Sequence, residues 1–304
     1  MDRQHRDHRL LIVTGKGGVG KTLLAAALAR ISARQGRRTV LVTMDSRDDQ
    51  HPLLGVPLRY RPQPSGLGFD VSRVDAFEAV AEYARRTMPM GLLYEGVFRS
   101  RAFRDFAAAA PGFEALMCLG KLFNLATQTD YRQVVFDAPA TGHLRELLEV
   151  PAATQRAVRV GPLNHNARKI EDLLLDPDRT RVLVATLPEE MPVREAMETV
   201  ALCRDHWRMG VGPVLVNRLV TGTVSADELS RLTALEADGA LGPAARRAVA
   251  VARSRQALAM AQAAALAPLA TIGLPMLRVP RLPGAGVGSE GLLDEVARHL
   301  EPGL

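Results

Sequence analysis

Two cysteines occur in 304 residues, Cys118 and Cys203, and they lie far apart. That number supports no disulfide framework and fits a reducing compartment. No apolar run approaches the roughly 18 to 20 residues that a membrane-crossing helix needs. Residues 1–9 are charged and hold no apolar core of a secretory signal, so a cytoplasmic protein is the expectation. Long basic runs are also missing. A net charge of +6 and a pI near 9.8 suit nucleic acid or an anionic membrane surface. Yet the arginines are scattered among Asp and Glu, and the doublets Arg37-Arg38, Arg85-Arg86 and Arg246-Arg247 stand alone. A solvated arginine-rich surface is therefore expected, with no nucleic-acid partner. Lysine is scarce: Lys16, Lys21, Lys121 and Lys169 stand against thirty-five arginines, and two of the four fall in one six-residue span.

What is present is organised around Leu10-Leu11-Ile12-Val13-Thr14-Gly15-Lys16-Gly17-Gly18-Val19-Gly20-Lys21-Thr22. Four apolar residues predict a buried strand, and Leu23 to Ala33 predicts a helix. Strand, G-x-x-x-x-G-K-T and helix together read as a P-loop with its context on both sides. Glycines let backbone N–H groups close around phosphate oxygens, and the helix N-terminus adds positive potential. Gly15, Lys16, Gly17, Gly18, Val19, Gly20, Lys21, Thr22 and Leu23 are the expected nucleotide contacts. Lys21 is expected at the β- and γ-phosphates, and the Thr22 hydroxyl directly on Mg²⁺. ATP and Mg²⁺ are thus the expected ligands.

Thr39 to Met44 predicts a second buried strand ending at Asp45. Tyr131 to Phe136 predicts another ending at Asp137. Further strands are expected at Phe69 to Val74, Arg181 to Leu187, Val211 to Val216 (ending at Asn217) and Leu274 to Val279. Helices are expected at Asp75 to Thr87 with Asp75 as N-cap, Leu92 to Ala109, Glu114 to Thr127, Pro151 to Leu175, Val193 to Trp207, Ser225 to Leu235, Pro243 to Leu266 and Leu292 to Leu300. Ser46 to Gly68 reads mostly as loop. Such alternation predicts an α/β fold, a mostly parallel sheet with helices on both faces. No composition shift marks a linker, so residues 1–304 read as one domain with a helical subdomain inserted at 75–129. Ligands of such sheets sit at the carboxyl ends of strands, where the P-loop, Asp45 and Asp137 fall together. One carboxylate is needed in the Mg²⁺ shell and one to orient the attacking water; the competing role for each is a cap.

The form G-K-G-G-V-G-K-T, with Lys16 inside the loop, resembles the deviant Walker A of the SIMIBI class of P-loop NTPases. Asp137-Ala138-Pro139-Ala140-Thr141-Gly142-His143 resembles the switch II segment, close to D-x-A-P-T-G-H, of the arsenite-pump (ArsA-type) and tail-anchored-protein targeting ATPases. Here the order is similar but shifted. The resemblance covers about residues 9 to 300. It implies that Lys16 reaches a partner's nucleotide across a dimer interface. It makes Lys16, Lys21 and Asp45 catalytic, with Asp45 positioning water, Asp137 sensing Mg²⁺, and both aspartates in the Mg²⁺ shell through water. Asp137, Pro139, Thr141, Gly142 and His143 become a switch, with His143 either a switch contact or a cap. The family's switch I is close to S-T-D-P-A; this chain keeps Asp45 but reads Ser46-Arg47 after it, and Asp48 and Asp49 compete as loop charges. Asn217 matches an adenine-reading asparagine, with a turn residue as the alternative, and Pro280 falls where the family closes a loop over adenine.

The expected function is a Mg²⁺-dependent ATPase acting as a dimeric switch, homodimeric or paired with a related subunit, that binds and releases a protein client or membrane partner. In targeting members the helical insertion forms a Met-rich groove for apolar helices. Met88, Met90, Leu92, Leu93, Phe98, Phe103, Phe106, Phe113, Leu116, Met117, Leu119, Leu122 and Phe123 supply the apolar residues here, although a helical subdomain must also bury its own core. The alternatives are the ATPase subunit of an arsenite or antimonite efflux pump and a partition-type positioning ATPase. Two separated cysteines are few for a pump, no zinc-binding C-x-x-C is present, and no cysteine lies between Asp137 and Cys203 for a shared cluster. Glu290, Asp294, Glu295 and Glu301 make the C-terminus a poor basic membrane helix.

Overall fold

A run such as Leu10 to Val13 is stable as a strand only where both sheet faces are covered. In the computed structural model, which describes residues 8–44, 51–87, 112–222, 224–282 and 289–304, it forms β1 (Leu10–Gly15), buried throughout near the middle of an eight-stranded sheet. The other strands are β2 (Thr39–Thr43), β3 (Gln63–Pro64), β4 (Asp70–Arg73), β5 (Gln133–Ala140), β6 (Thr180–Thr186), β7 (Val214–Leu219) and β8 (Met276–Pro280). Their order is β3-β4-β2-β5-β1-β6-β7-β8. All pairings are parallel except β3 with β4, so the expected mostly parallel α/β sheet is what forms. Ile12 lies opposite Phe136 on β5 and Val182 on β6.

Alternate side chains divide the core in two. Leu11 and Val13 join Leu41, Val135, Leu183 and Leu215 under α1 (Lys21–Arg34) and the C-terminal helix 289–300. Leu10 and Ile12 join Val40, Val134, Phe136 and Val182 on the opposite face. That face is covered by α2 (Ala76–Thr87), α3 (Phe113–Thr127), α4 (Thr141–Ala157), α5 (Pro162–Leu175) and α6 (Glu190–Ala201). Each such fully buried aliphatic side chain contributes about 1.5–3 kcal/mol. The remaining α-helices among the described residues are α7 (Ala226–Ala237), α8 (Pro243–Leu266) and α9 (Ser289–Leu300). Among the described residues no helix is long and apolar enough to cross a membrane.

Asp75 caps α2 as expected, its Oδ1 accepting from the N–H groups of Phe77 and Glu78 at 3.0 Å each. Leu116, Cys118, Leu119 and Leu122 of α3 lie in the same core as the sheet. Three expectations need correction. The strand after Tyr131 does not end at Asp137 but runs to Ala140, because the residue before Pro139 is held extended and Ala140 (ψ 153°) still is. The helix expected over Pro151 to Leu175 is two helices. α4 starts at Thr141 and accommodates Pro151; Gly161, with φ 100°, then turns the chain and Pro162 opens α5. Finally, β7 begins at Val214 and continues past Asn217 to Leu219, since Pro280 of β8 pairs opposite Leu219 across a register shift. The expected helix over 92–109 and the aspartates Asp45, Asp48 and Asp49 lie outside the described residues.

Candidate functional site

The carboxyl ends of β1, β2 and β5 meet at a cleft of about 690 Å³, lined by Gly18, Lys21, Thr22, Met44, Asp137 and Pro139 among others. α1 begins there with Gly20 in left-handed geometry at its N-cap and no side-chain cap. The first N–H groups of a helix have no intrahelical acceptor, so they are available to an anion in front of the loop. Two glycines are required by contact. A Cβ on Gly20, which has φ 93°, would lie 2.4 Å from Asn217 Nδ2; one on Gly15 would lie 2.2 Å from the Ala185 carbonyl oxygen. Gly17 and Gly18 have no neighbour within 4 Å of a Cβ position, so the loop opens onto free space.

Thr22 Oγ1 donates to Asp137 Oδ2 at 2.6 Å, tying the first turn of α1 to β5. Asp137 is 7% exposed and sits between Val13 of β1 and Thr43 of β2. A hydroxyl and a carboxylate at the rim of a cleft are hard oxygen donors of the kind Mg²⁺ takes when phosphates and water complete its shell. Lys21 Nζ donates to the Lys16 carbonyl oxygen at 3.3 Å. Burial holds the Lys21 ammonium below its ordinary pKa, while Asp137 and Glu195 pull the other way. A half-buried cation beside free helix N–H groups is matched by a polyphosphate.

Pro139 lines the cleft, and its carbonyl oxygen accepts from Thr14 Oγ1 at 3.3 Å. Thr141 and Gly142 are the first residues of α4. His143 is exposed on the first turn of that helix, with Nδ1 3.8 Å from Glu146 Oε2, and does not line the cleft. Asn217 is 3% exposed; its Nδ2 donates to the Val19 carbonyl oxygen at 2.8 Å and its Oδ1 accepts from Arg218 N at 2.9 Å. The amide thus braces the P-loop, and one N–H and one lone pair remain for another group. Pro280 lines a separate cavity with Leu219, Arg278 and His299. Asp45 lies outside the described residues.

Sequence reasoning missed Glu195. Its Oε2 lies 3.2 Å from Lys16 Nζ, and its Oε1 accepts from Thr141 Oγ1. In the sequence it is one glutamate in an amphipathic helix, with no spacing that ties it to the P-loop. His51 was missed as well; its buried Nδ1 accepts from Leu53 N and Leu54 N and shapes the loop that walls the cleft.

Residues 8–164 match the family model described as Anion-transporting ATPase. Similar proteins include the ATPase BagA of Mycobacterium tuberculosis, 28% identical over 242 residues that cover 76% of this chain and 71% of that one. The arsenical pump-driving ATPase of Escherichia coli is 31% identical over 215 residues, covering 70% of this chain and 34% of that protein. Its counterpart in Acidiphilium multivorum is 30% identical over the same lengths and shares. With the model covering the P-loop, β5 and Asp137, and more than half of the residues, the chain belongs to the ArsA-type anion-transporting ATPase family, a family of nucleotide-binding ATPases.

Proposed function

We propose that this chain is a Mg²⁺-dependent ATP hydrolase whose nucleotide state drives a dimeric switch. The observation that carries the reading is the 2.6 Å bond from Thr22 to Asp137. It joins the P-loop to the strand that runs, without an intervening loop, through Pro139 into α4. Thr22 and Asp137 are the residues that would hold Mg²⁺, Thr22 directly and Asp137 through the shell. When bound, the ion neutralises charge on the β- and γ-phosphates. Lys21 and the N–H groups of residues 15–22 hold and orient the phosphates. Asp137 would thus exchange the Thr22 hydroxyl for another donor when the site is filled, and β5 connects Asp137 directly to Thr141. Asp45 is proposed to orient the attacking water, and Lys16 to reach the nucleotide of a second subunit, identical or related.

The client is proposed to be an apolar helical segment that binds on the side of α2, α3 and α5. A cavity of about 560 Å³ lies between those helices, walled by Tyr60, Tyr83, Met117, Phe123, Leu163 and Ile170. The names of the pump-driving relatives favour a second reading, energising of an oxyanion pump. Metalloid capture needs accessible thiolates, whereas both cysteines here are buried and their thiols are pushed up by burial, Cys203 to about 12.

Light scattering tests the switch, on the nucleotide-free chain and with Mg²⁺ and a transition-state mimic of ATP hydrolysis. The mass should double with the mimic and stay monomeric in Lys16→Ala. Unchanged mass in the wild-type chain would remove the homodimer. Phosphate release in the presence of an apolar helical peptide, or of arsenite or antimonite, separates the two outputs: stimulation by the peptide supports the client reading, and stimulation by the oxyanions alone replaces it.

A further inference from the structure

The two oxygens of Glu195 hold two different parts of the site. Oε2 lies 3.2 Å from the Lys16 ammonium on the P-loop, and Oε1 accepts from Thr141 Oγ1 at the start of α4. Glu195 itself is carried on α6, which packs on the sheet through Val193, Ala196 and Val200. Its backbone is therefore fixed, while the two groups it holds belong to the P-loop and to the segment proposed above as the switch. We propose that Glu195 is a positioning residue for the ATPase cycle: it retains Lys16 within its own subunit and clamps the first residue of α4 until phosphate arrives, so that both are released together. The proposal rests on the ATPase reading above and adds a regulator to it.

Among the described residues Glu195 is the carboxylate beside Lys16, and a triphosphate offers several formal charges and more acceptors. The ammonium therefore exchanges partners when the cleft fills. Once Lys16 leaves, the carboxylate has lost its ion-pair partner, and its bond to Thr141 is no longer part of a three-way arrangement. The Lys16 and Glu195 side chains are 39% and 30% exposed, so solvent screens the pair. Pairs of this kind shift an equilibrium by about two- to fivefold. A latch of that size biases the resting state and yields to a triphosphate. The same carboxylate also acts on Lys21, so the two lysines of the loop feel one residue.

The test is a double-mutant cycle on the full chain, reading the affinity of a fluorescent ATP analogue with Mg²⁺. Glu195→Ala should tighten binding about two- to fivefold, and the gain should shrink in a Lys16→Ala background. Glu195→Gln keeps an acceptor for Thr141 and should reproduce the tighter binding. Only Glu195→Ala should also speed amide hydrogen exchange in the first turn of α4. Weaker binding in Glu195→Ala, or an equal gain with and without Lys16, would overturn the latch while leaving the ATPase reading intact. A wild-type chain that binds no nucleotide would overturn both. Melting curves of the five proteins check that each is folded at the assay temperature.

Discussion

Two residues 115 apart in sequence, Thr22 and Asp137, meet at 2.6 Å, and the site depends on that contact. Hydrogen bonds to a charged group are worth about 1.5–3 kcal/mol. Thr22→Val keeps the side-chain shape and removes the donor. It should lower urea stability by about 1–3 kcal/mol and abolish Mg²⁺-dependent phosphate release, whereas Thr22→Ser should retain most of both. Lys21 gives a pH prediction. Burial penalises its ammonium and holds its pKa below the ordinary value, and bound phosphate would raise it again. The protonated form binds, so affinity should be level near neutrality and fall as pH rises through the lowered pKa, earlier than for an exposed lysine. Nucleotide titrations at rising pH check this, and Lys21→Ala should bind weakly with no such alkaline fall. The P-loop residues were legible because their chemistry is written in one continuous spacing. Glu195 was not, because nothing within its own helix distinguishes it from Glu198, which pairs with Arg194 at the surface.

Elements were legible where the pattern is local. β1, α1, α8 and the Asp75 cap follow from apolar runs, an N-terminal proline and an N-cap aspartate. They were misread where a neighbour decides: β7 is extended by β8, and the length of β5 is fixed by β1, which meets it as far as Ala140 opposite Gly15. The turn at Gly161 was read as part of a helix because residues on both sides are good helix formers. α3 shows the same limit. Its apolar residues suit either a client groove or a core, and the fold uses Cys118, Leu119 and Leu122, all no more than 1% exposed, in the core beneath the sheet. Leu119→Ala should therefore cost about 2–5 kcal/mol in chemical denaturation, as a buried leucine does. A change near zero would return the residue to the groove.

At the scale of the molecule, burial is unevenly distributed, and stability should follow it. β1, β2, β5 and β6 lie between covered neighbours with both faces packed. The hairpin of α7 and α8 is different. α7 buries none of its residues, and α8 buries Val249, Gln262 and Leu266 out of twenty-four. What holds α7 is local and exposed: the capping box of Ser225 and Glu228, the Arg253–Glu236 ion pair and the hydrogen bond from Arg253 to Thr233. Exposed Val251, Leu258 and Met260 add no core there. Local opening needs little free energy where little is buried. Amide hydrogen exchange at high dilution should therefore reach α7 and the first half of α8 first and the central strands last. Ser225→Ala should speed exchange in α7 while leaving nucleotide affinity unchanged, because the hairpin lies outside the cleft. If α7 instead exchanges as slowly as β1, a surface beyond the hairpin's own packing is protecting it. Raising the protein concentration then separates the sources: protection that grows with concentration comes from a second copy, and protection that does not comes from within one chain.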